Sequence, residues 1–257
     1  MIKLSKRLQM IAERVPQGAR LADIGSDHAL LPTYLVQQGM ISFAIAGEVN
    51  SGPLDAAMKQ VSDAKLENNI SPRLGNGLEV VEPGEVNTIT IAGMGGSLIA
   101  SILEQGKHKL EGVKHLILQP NVGEEMVRRW LLENGWFLTS ETILEEDGKI
   151  YEILTAVRET EENEGKSVQL YASRTYEQMP ETLIDQELLM RMGPYFIQPN
   201  PSKIWIAKWQ MELAQLERIR QNLAKSDMPV SRQKEEELAN EIRRIQGVLT
   251  CMQKVQQ

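Results

Sequence analysis

The stretch GWFLTSETILEEDGKIYEILTAVRE (135–159) decides the fold. Its two runs, 135–146 and 149–159, are rich in β-branched and aromatic residues and meet at Asp147-Gly148. A two-residue Asp-Gly connection favours positive φ and so a hairpin, which predicts an antiparallel strand pair. Upstream, ARLADIG (19–25), SFAIAGE (42–48), ISPRLGN (70–76), VNTITIAG (86–93) and VKHLILQ (113–119) are short apolar runs that predict buried strands. The gaps between and after them predict helices over 31–39, 52–67, 97–106 and 124–134, the last through the spacing of Met126, Trp130 and Leu131. Strands separated by helices imply a parallel sheet with right-handed crossovers, which the hairpin closes at one edge.

That order is the pattern of a seven-stranded, Rossmann-like class I methyltransferase sheet of the α/β class. A dinucleotide-binding fold would continue with another β-α unit. The polar stretch ETEENEGKSVQ (159–169) predicts a boundary between an α/β domain over 1–160 and a helical domain over 161–257. In the second domain a helix is expected over 180–193, and the prolines of PYFIQPNP (194–201) cannot continue it. Apolar residues then recur at steps of three and four through Ile206, Trp209, Leu213, Leu216 and Leu223, with Arg220 breaking the series. Leu238, Ile242, Ile245, Leu249 and Met252 repeat the pattern after SDMPVS (226–231). Two such helices predict an antiparallel coiled-coil hairpin, either a packing and oligomerisation device or an arm that grips a partner.

The composition excludes several classes. A single cysteine, Cys251, allows no intrachain disulfide and is expected as a buried reduced thiol. The first residues scatter Lys3, Lys6, Arg7, Glu13 and Arg14 where a secretory leader would be apolar, and no run of 18 apolar residues occurs. A cytoplasmic chain without a membrane partner is expected. The net charge of -7 argues against a nucleic-acid partner until it is divided along the chain. Residues 141–187 hold 4 basic and 13 acidic side chains, against 13 and 15 in 1–140 and 10 and 7 in 201–257. The acidity is local, and both termini are basic. Net charge therefore says little about any one face.

In an open parallel sheet the ligand crevice lies beyond the carboxyl ends of the strands, so the loops there carry the chemistry. The first is LADIGSDHALLP (21–32). It has only Gly25 where a dinucleotide binder would have G-x-G-x-x-G, and it adds Ser26, Asp27 and His28. Asp23 and Asp27 would repel a pyrophosphate and attract a sulfonium or ammonium, which argues for S-adenosylmethionine over NAD. Glu48, 25 residues after Asp23, sits where an acid accepts from ribose hydroxyls. Asn76 and Gly77 either contact an adenine edge or simply close a Gly-Asn-Gly turn. Gly93, Gly95 and Gly96 follow the fourth strand, with Ser97 as expected N-cap, and suggest a ligand within contact distance. Gln119 and Asn121 in LQPN (118–121) face the same crevice.

Together LSKRLQ, ADIGSDHALLP, AGEVNSGPL, RLGNGLEV, ITIAGMGG, LILQPN and ILEEDGKIYEIL closely resemble the bacterial TrmK family, tRNA (adenine-N1)-methyltransferases acting at position 22. The resemblance covers nearly all of the first 158 residues. It implies a Rossmann-like methyltransferase domain, S-adenosylmethionine as donor, tRNA as substrate and a C-terminal coiled coil; no metal and no obligate protein partner are expected. Carried over by position, Asp23, Gly25, Ser26, Asp27 and His28 form the donor loop, Glu48 and Val49 the ribose contact, and Asn76 and Gly77 the adenine contact. Ala92, Gly93, Met94 and Gly95 wall the methionine moiety. The chain departs from the wider class in reducing E/D-x-G-x-G-x-G to D-I-G-S-D-H-A. It also carries Gly93-Met94-Gly95-Gly96 where many amino-methylating enzymes have Asn/Asp-Pro-Pro-Tyr.

Adenine N1 carries a lone pair, so transfer to it asks for alignment rather than a metal or a covalent intermediate. The base becomes cationic, and Asp27 is the first candidate to offset that charge or take a proton, His28 the second. The plainer alternative is that Asp27 caps a helix and His28 packs on the donor. Gln119 or Asn121 would hold the adenine edge. N1 lies in the Watson–Crick face, so the base must be unpaired or flipped. Lys3, Lys6, Arg7, Arg128 and Arg129 are the candidate phosphate contacts, with RNA expected to avoid the acidic face around Glu159 to Glu164. Two other readings stay open: a non-catalytic nucleotide-binding module whose hairpin docks a protein, and a methyltransferase for a different substrate.

Overall fold

The computed structural model describes residues 2–176, 179–226 and 228–254, which divide into two compact units, Met1–Ser167 and Val168–Gln257. In the first, strands and helices alternate as α1 (Lys6–Ala12), β1 (Arg20–Ile24), α2 (Leu30–Gln37), β2 (Phe43–Glu48), α3 (Ser51–Asp63), β3 (Ile70–Leu74), β4 (Thr88–Gly95), α4 (Gly96–Gln105), β5 (His115–Val122) and α5 (Glu124–Glu133). The strands β6 (Trp136–Glu146) and β7 (Lys149–Arg158) follow. Among the described residues these strands form one seven-stranded sheet in the order β3-β2-β1-β4-β5-β7-β6. The first five are parallel; β7 pairs antiparallel with β5 (His115↔Val157) and with β6 (Glu146↔Lys149). The chain reverses at Asp147 (φ 51) and Gly148 (φ 71), the pair of positive φ values that a two-residue hairpin turn needs. The class I methyltransferase topology is therefore present.

The order reverses between β1 and β4, which opens a crevice beyond their carboxyl ends. Its rigidity comes from what lies beneath. Ile11 of α1, Leu31 and Leu35 of α2, and Ala57 and Val61 of α3 join Leu21, Ala44, Ala46 and Ile117 of the sheet in one buried cluster. Leu31 and Leu35 are at most 1% exposed, and burial of each contributes about 1.5–3 kcal/mol. α4 and α5 pack on one another and bury Ile99, Leu103, Val127 and Leu131. The short helix α1 was not legible as such in the sequence; the Ser5 hydroxyl caps it by accepting from the Leu8 N–H at 3.2 Å. Gly95, not Ser97, is the N-cap of α4, because β4 runs on to Gly95 and leaves Ser97 inside the first helical turn.

α6 (Lys166–Leu170) spans the boundary, and the second unit continues with β8 (Arg174–Tyr176), β9 (Met179–Ile184), α7 (Gln186–Met192), α8 (Lys203–Leu223) and α9 (Pro229–Lys254). The single helix expected over 180–193 is corrected here. Residues 179–184 form a strand paired antiparallel with β8, and the helix begins only after Asp185, whose carboxylate accepts from the Leu188 N–H at 3.1 Å. The capping aspartate competes with helix continuation and wins. α8 and α9 pack on one another, and Arg220, the polar interruption in the α8 series, donates to Glu235 of α9 at 2.7 Å. Cys251 is buried. No helix among the described residues is long and apolar enough to cross a membrane.

Candidate active site

Beyond β1, β4 and β5 lies a cavity of about 330 Å³ lined by Arg7, Leu8, Asp23, Gly25, Ser26, Asp27, Ala92, Gly93, Met94, Asn121 and Tyr151. Asp23 ends β1 with its carboxylate 5% exposed, held by the Ser26 hydroxyl at 2.6 Å and by the Thr90 hydroxyl of β4. Burial pushes the Asp23 carboxyl above its ordinary value, opposed by those two hydroxyls and by the Arg7 charge. Glu48, one strand away, is also buried. Burial raises its carboxyl too; the donated Asp27 main-chain N–H opposes this, while the charges of Asp23 and Asp27 add to it. Among the described residues Glu48 Oε1 has no hydrogen-bond partner, although Glu48 is not one of the residues that line the cavity.

The chain between these acids is bent hard. Gly25 adopts φ +69, and a Cβ there would lie 2.3 Å from Met94 Cε, so the two rims of the crevice touch at the glycine. Asp27, His28 and Ala29 follow at φ 47, 66 and 55, three consecutive left-handed residues without a glycine among them. Each costs of order 1 kcal/mol, a local strain that the buried surroundings must hold. The bend excludes the capping role for Asp27, because Ala29 occupies the N-cap of α2 and no side chain caps it. It also leaves the Asp27 side chain 83% exposed and 3.5 Å from His28 Nε2.

On the other rim β4 and β5 run past their regular pairing, with register shifts at Ala92/Met94 and Met94/Gly95. Gly93 takes φ +79 there. Gln119 accepts from Arg7 Nη1 at 2.6 Å and from the Gly93 N–H at 3.2 Å, and donates to the Pro120 carbonyl at 2.9 Å and to Asn121 Oδ1 at 3.1 Å. Its amide is thereby saturated and it is 0% exposed, so the expectation that Gln119 itself holds a ligand edge is corrected. Asn121 Nδ2 donates to the Gly93 carbonyl at 2.7 Å, leaving one lone pair and one proton of Asn121 uncommitted by these bonds.

The expected site residues are thus only partly gathered. Asp23, Gly25, Ser26, Asp27, Ala92, Gly93, Met94 and Asn121 line the cavity, while Asn76 and Gly77 line a separate pocket of about 120 Å³ with Leu78, Ile102 and His108. Val49 is 61% exposed. Three contributors were missed. Thr90 is one of two hydroxyls, with Thr88, in an otherwise apolar strand, a signal the sequence did carry, whereas Leu8 and Tyr151 reach the cavity through α1 and the hairpin, which no local pattern announces.

Among the candidate phosphate contacts, Arg128 is corrected. It is 0% exposed and paired with Glu141 at 2.6 Å and with Glu152, so it braces α5 against the hairpin and cannot meet a surface ligand. Arg129 is partly exposed and lies 3.8 Å from Glu125 on its own helix. The main-chain N–H groups of Lys6 and Arg7 donate to the Glu146 carboxylate, and Lys6 Nζ donates to the Glu145 carbonyl at 3.2 Å. These bonds pin α1 over the crevice. No group of three or more His, Cys, Asp or Glu able to hold a metal occurs among the described residues.

Comparison with known proteins points to the same family over most of the chain. The family model described as TrmK: tRNA (adenine(22)-N(1))-methyltransferase matches residues 21–247. The Bacillus subtilis (strain 168) tRNA (adenine(22)-N(1))-methyltransferase is 42% identical over 249 residues, 96% of this chain and 98% of that protein. The crystal structure of the B. subtilis M1A22 tRNA methyltransferase TrmK superposes with a TM-score of 0.85 at 41% identity, covering 97% of this chain and 100% of that one. A Streptococcus pneumoniae relative solved in complex with S-adenosyl-L-methionine gives a TM-score of 0.76 at 39% identity, covering 96% and 100%. By sequence, topology and crevice, the chain belongs to the TrmK family of tRNA (adenine(22)-N(1))-methyltransferases.

Proposed function

We propose that this chain transfers a methyl group from S-adenosylmethionine to N1 of the adenine at position 22 of tRNA. The observation that carries the reading is the pair of buried acids on adjacent strands, Asp23 and Glu48, with Glu48 Oε1 left without a partner. Family membership supplies the substrate class.

The residues fit the donor. Glu48 Oε1 would accept from a ribose hydroxyl, and the carboxylates of Asp23 and Asp27 would complement the cationic end of the molecule. Gly25 and Gly93 let main chain approach it closely. When bound, S-adenosylmethionine supplies an electrophilic methyl on a sulfonium. The chain's own work is then alignment: the strained 27–29 turn and the 93–95 irregularity fix the two rims between which the acceptor base must sit. Asp27 offsets the positive charge that develops on the base and is the nearest carboxylate free to take a proton; His28 beside it is the second candidate. Asn121 holds the exocyclic amine, and Lys3, Lys6 and Arg129 contact phosphates, whereas Arg7 is turned inward onto Gln119.

The test is incubation with labelled S-adenosylmethionine and bulk tRNA, followed by mapping of modified nucleosides, with calorimetry of S-adenosylhomocysteine and NAD alongside. Expected are 1-methyladenosine at position 22 and binding of S-adenosylhomocysteine but not NAD. Binding without methyl transfer would favour a non-catalytic module, and a methylated product other than 1-methyladenosine would reassign the substrate.

A further inference from the structure

Resting on that reading and deepening it, we propose that Gln119 is a positioning residue whose amide, turned by Arg7 and by the main chain of Gly93 and Pro120, sets the polarity of a two-amide relay and so fixes which hydrogen-bonding atom Asn121 offers to the acceptor base. The relay runs Arg7 Nη1 to Gln119 Oε1 (2.6 Å), Gln119 Nε2 to Asn121 Oδ1 (3.1 Å), and Asn121 Nδ2 to the Gly93 carbonyl (2.7 Å).

A primary amide can be turned end for end at little steric cost, because its oxygen and nitrogen have nearly the same size. Its orientation is decided by its partners. Here both ends of the relay are unambiguous. A guanidinium has donors only, and a main-chain carbonyl only accepts. The Gly93 N–H, a second pure donor, also points at Gln119 Oε1, at 3.2 Å. Gln119 is therefore forced to turn its nitrogen toward Asn121, and Asn121 must turn its oxygen toward Gln119 and its nitrogen toward Gly93. The guanidinium itself is held in place, with its carbon 5.5 Å from the centre of the Tyr151 ring.

The consequence is chemical. Adenine presents N1, which must stay uncommitted in order to be methylated, beside an exocyclic amine that donates. The remaining lone pair of Asn121 Oδ1 can accept from that amine, while an Asn121 turned the other way would place a donor next to N1 and tie up its lone pair. Because Asn121 lines the cavity and Gln119 does not, the selectivity reaches the base only through the relay. Gln119, buried and bonded to Asn121, makes the choice, with Arg7 of α1 as one of its two donors.

Gln119→Glu is the sharpest test. It preserves shape and both accepted bonds but removes the donor to Asn121 and to the Pro120 carbonyl, so Asn121 must turn. Arg7→Met removes only one of the two pure donors and leaves the Gly93 N–H and the Pro120 carbonyl to hold the amide, so it serves as the comparison. The readout is the ratio of kcat/KM for tRNA carrying adenine at position 22 to that for tRNA carrying purine riboside there, which lacks the amine. The native protein should favour adenine by tenfold or more. Gln119→Glu should bring the ratio within threefold of unity with a kcat loss of tenfold or more and move S-adenosylhomocysteine affinity less than threefold, whereas Arg7→Met should keep the ratio within threefold of native. An unchanged ratio in Gln119→Glu overturns the inference while leaving the methyltransferase reading intact. Absence of methyl transfer by the native protein would instead defeat that reading itself.

Discussion

The main-chain N–H of Asp27 lies against the carboxylate of Glu48 and favours its charged form, linking the loop after β1 to the end of β2. Among the described residues the Glu48 oxygen Oε1 is buried without a hydrogen-bond partner. An unpaired buried polar atom costs about 1–3 kcal/mol, a debt that a ribose hydroxyl would cancel. Glu48→Ala should therefore weaken S-adenosylhomocysteine binding by at least tenfold in calorimetry while leaving the Tm of the ligand-free protein unchanged or higher. A fall in Tm with unaltered binding would make Glu48 a structural group only.

Arg128 and Arg129 are adjacent in sequence and opposite in role. Removing the charge that neutralises Glu141 and Glu152 strands buried carboxylates, so Arg128→Met should lose about 3–5 kcal/mol in urea denaturation. Arg129→Glu should unfold at the native midpoint and instead raise KM for tRNA severalfold. Equal stability losses in both variants would contradict the burial difference.

That contrast marks where sequence stops being informative. The sheet was legible because buried parallel strands are apolar throughout and the Asp147-Gly148 turn needs only local chemistry. Asp23, Glu48 and Asn121 were legible because strand ends have fixed positions in such a sheet. Arg128 was not, since its helical spacing suggests a polar face and its partners lie 13 and 24 residues away on the hairpin. Gln119 was placed correctly on β5, yet its saturation depends on Arg7, 112 residues distant. Strand β9 reads as helix because Ile184, Leu188 and Met192 fall at steps of four, a helical spacing that the Asp185 cap interrupts.

Gly25 is required twice over, by φ +69 and by the approach of Met94. The methionine end can move aside, but the backbone cannot escape the left-handed penalty of about 1–2 kcal/mol for alanine. Gly25→Ala should lower Tm by a few degrees and weaken S-adenosylhomocysteine more than tenfold, since Met94 is pushed into the cavity. Double substitution with Met94→Ala should restore part of the affinity and none of the backbone strain.

Asp27 at φ 47 can be replaced by asparagine without loss of left-handed tolerance. Asp27→Asn therefore isolates charge from conformation. Expected is a kcat reduction of more than tenfold, with S-adenosylhomocysteine affinity within threefold of native, in single-turnover and calorimetric measurements. Unchanged turnover would return Asp27 to a purely conformational role and move attention to His28.

Asp23 links the chemistry to stability in a way that pH can read. Burial raises its carboxyl, so in the window between the ordinary carboxylate value and the raised one the folded chain holds a proton that the unfolded chain has released. Stability therefore falls as pH rises through that window, and above it the ionised carboxylate burdens the ligand-free fold. Asp23→Asn keeps a polar group of the same shape without the charge. Above that window the ligand-free variant should melt higher than the native protein, and the difference should shrink as pH is lowered through it into the ordinary carboxylate range, where native Asp23 is itself neutral. Above the window affinity for S-adenosylhomocysteine should fall at least tenfold, because on the proposed reading the ligand's ammonium would lose its counter-charge. A variant that melts lower than native at every pH would show that the bonds from Ser26 and Thr90 to the carboxylate outweigh its desolvation, and that the acid is structural first.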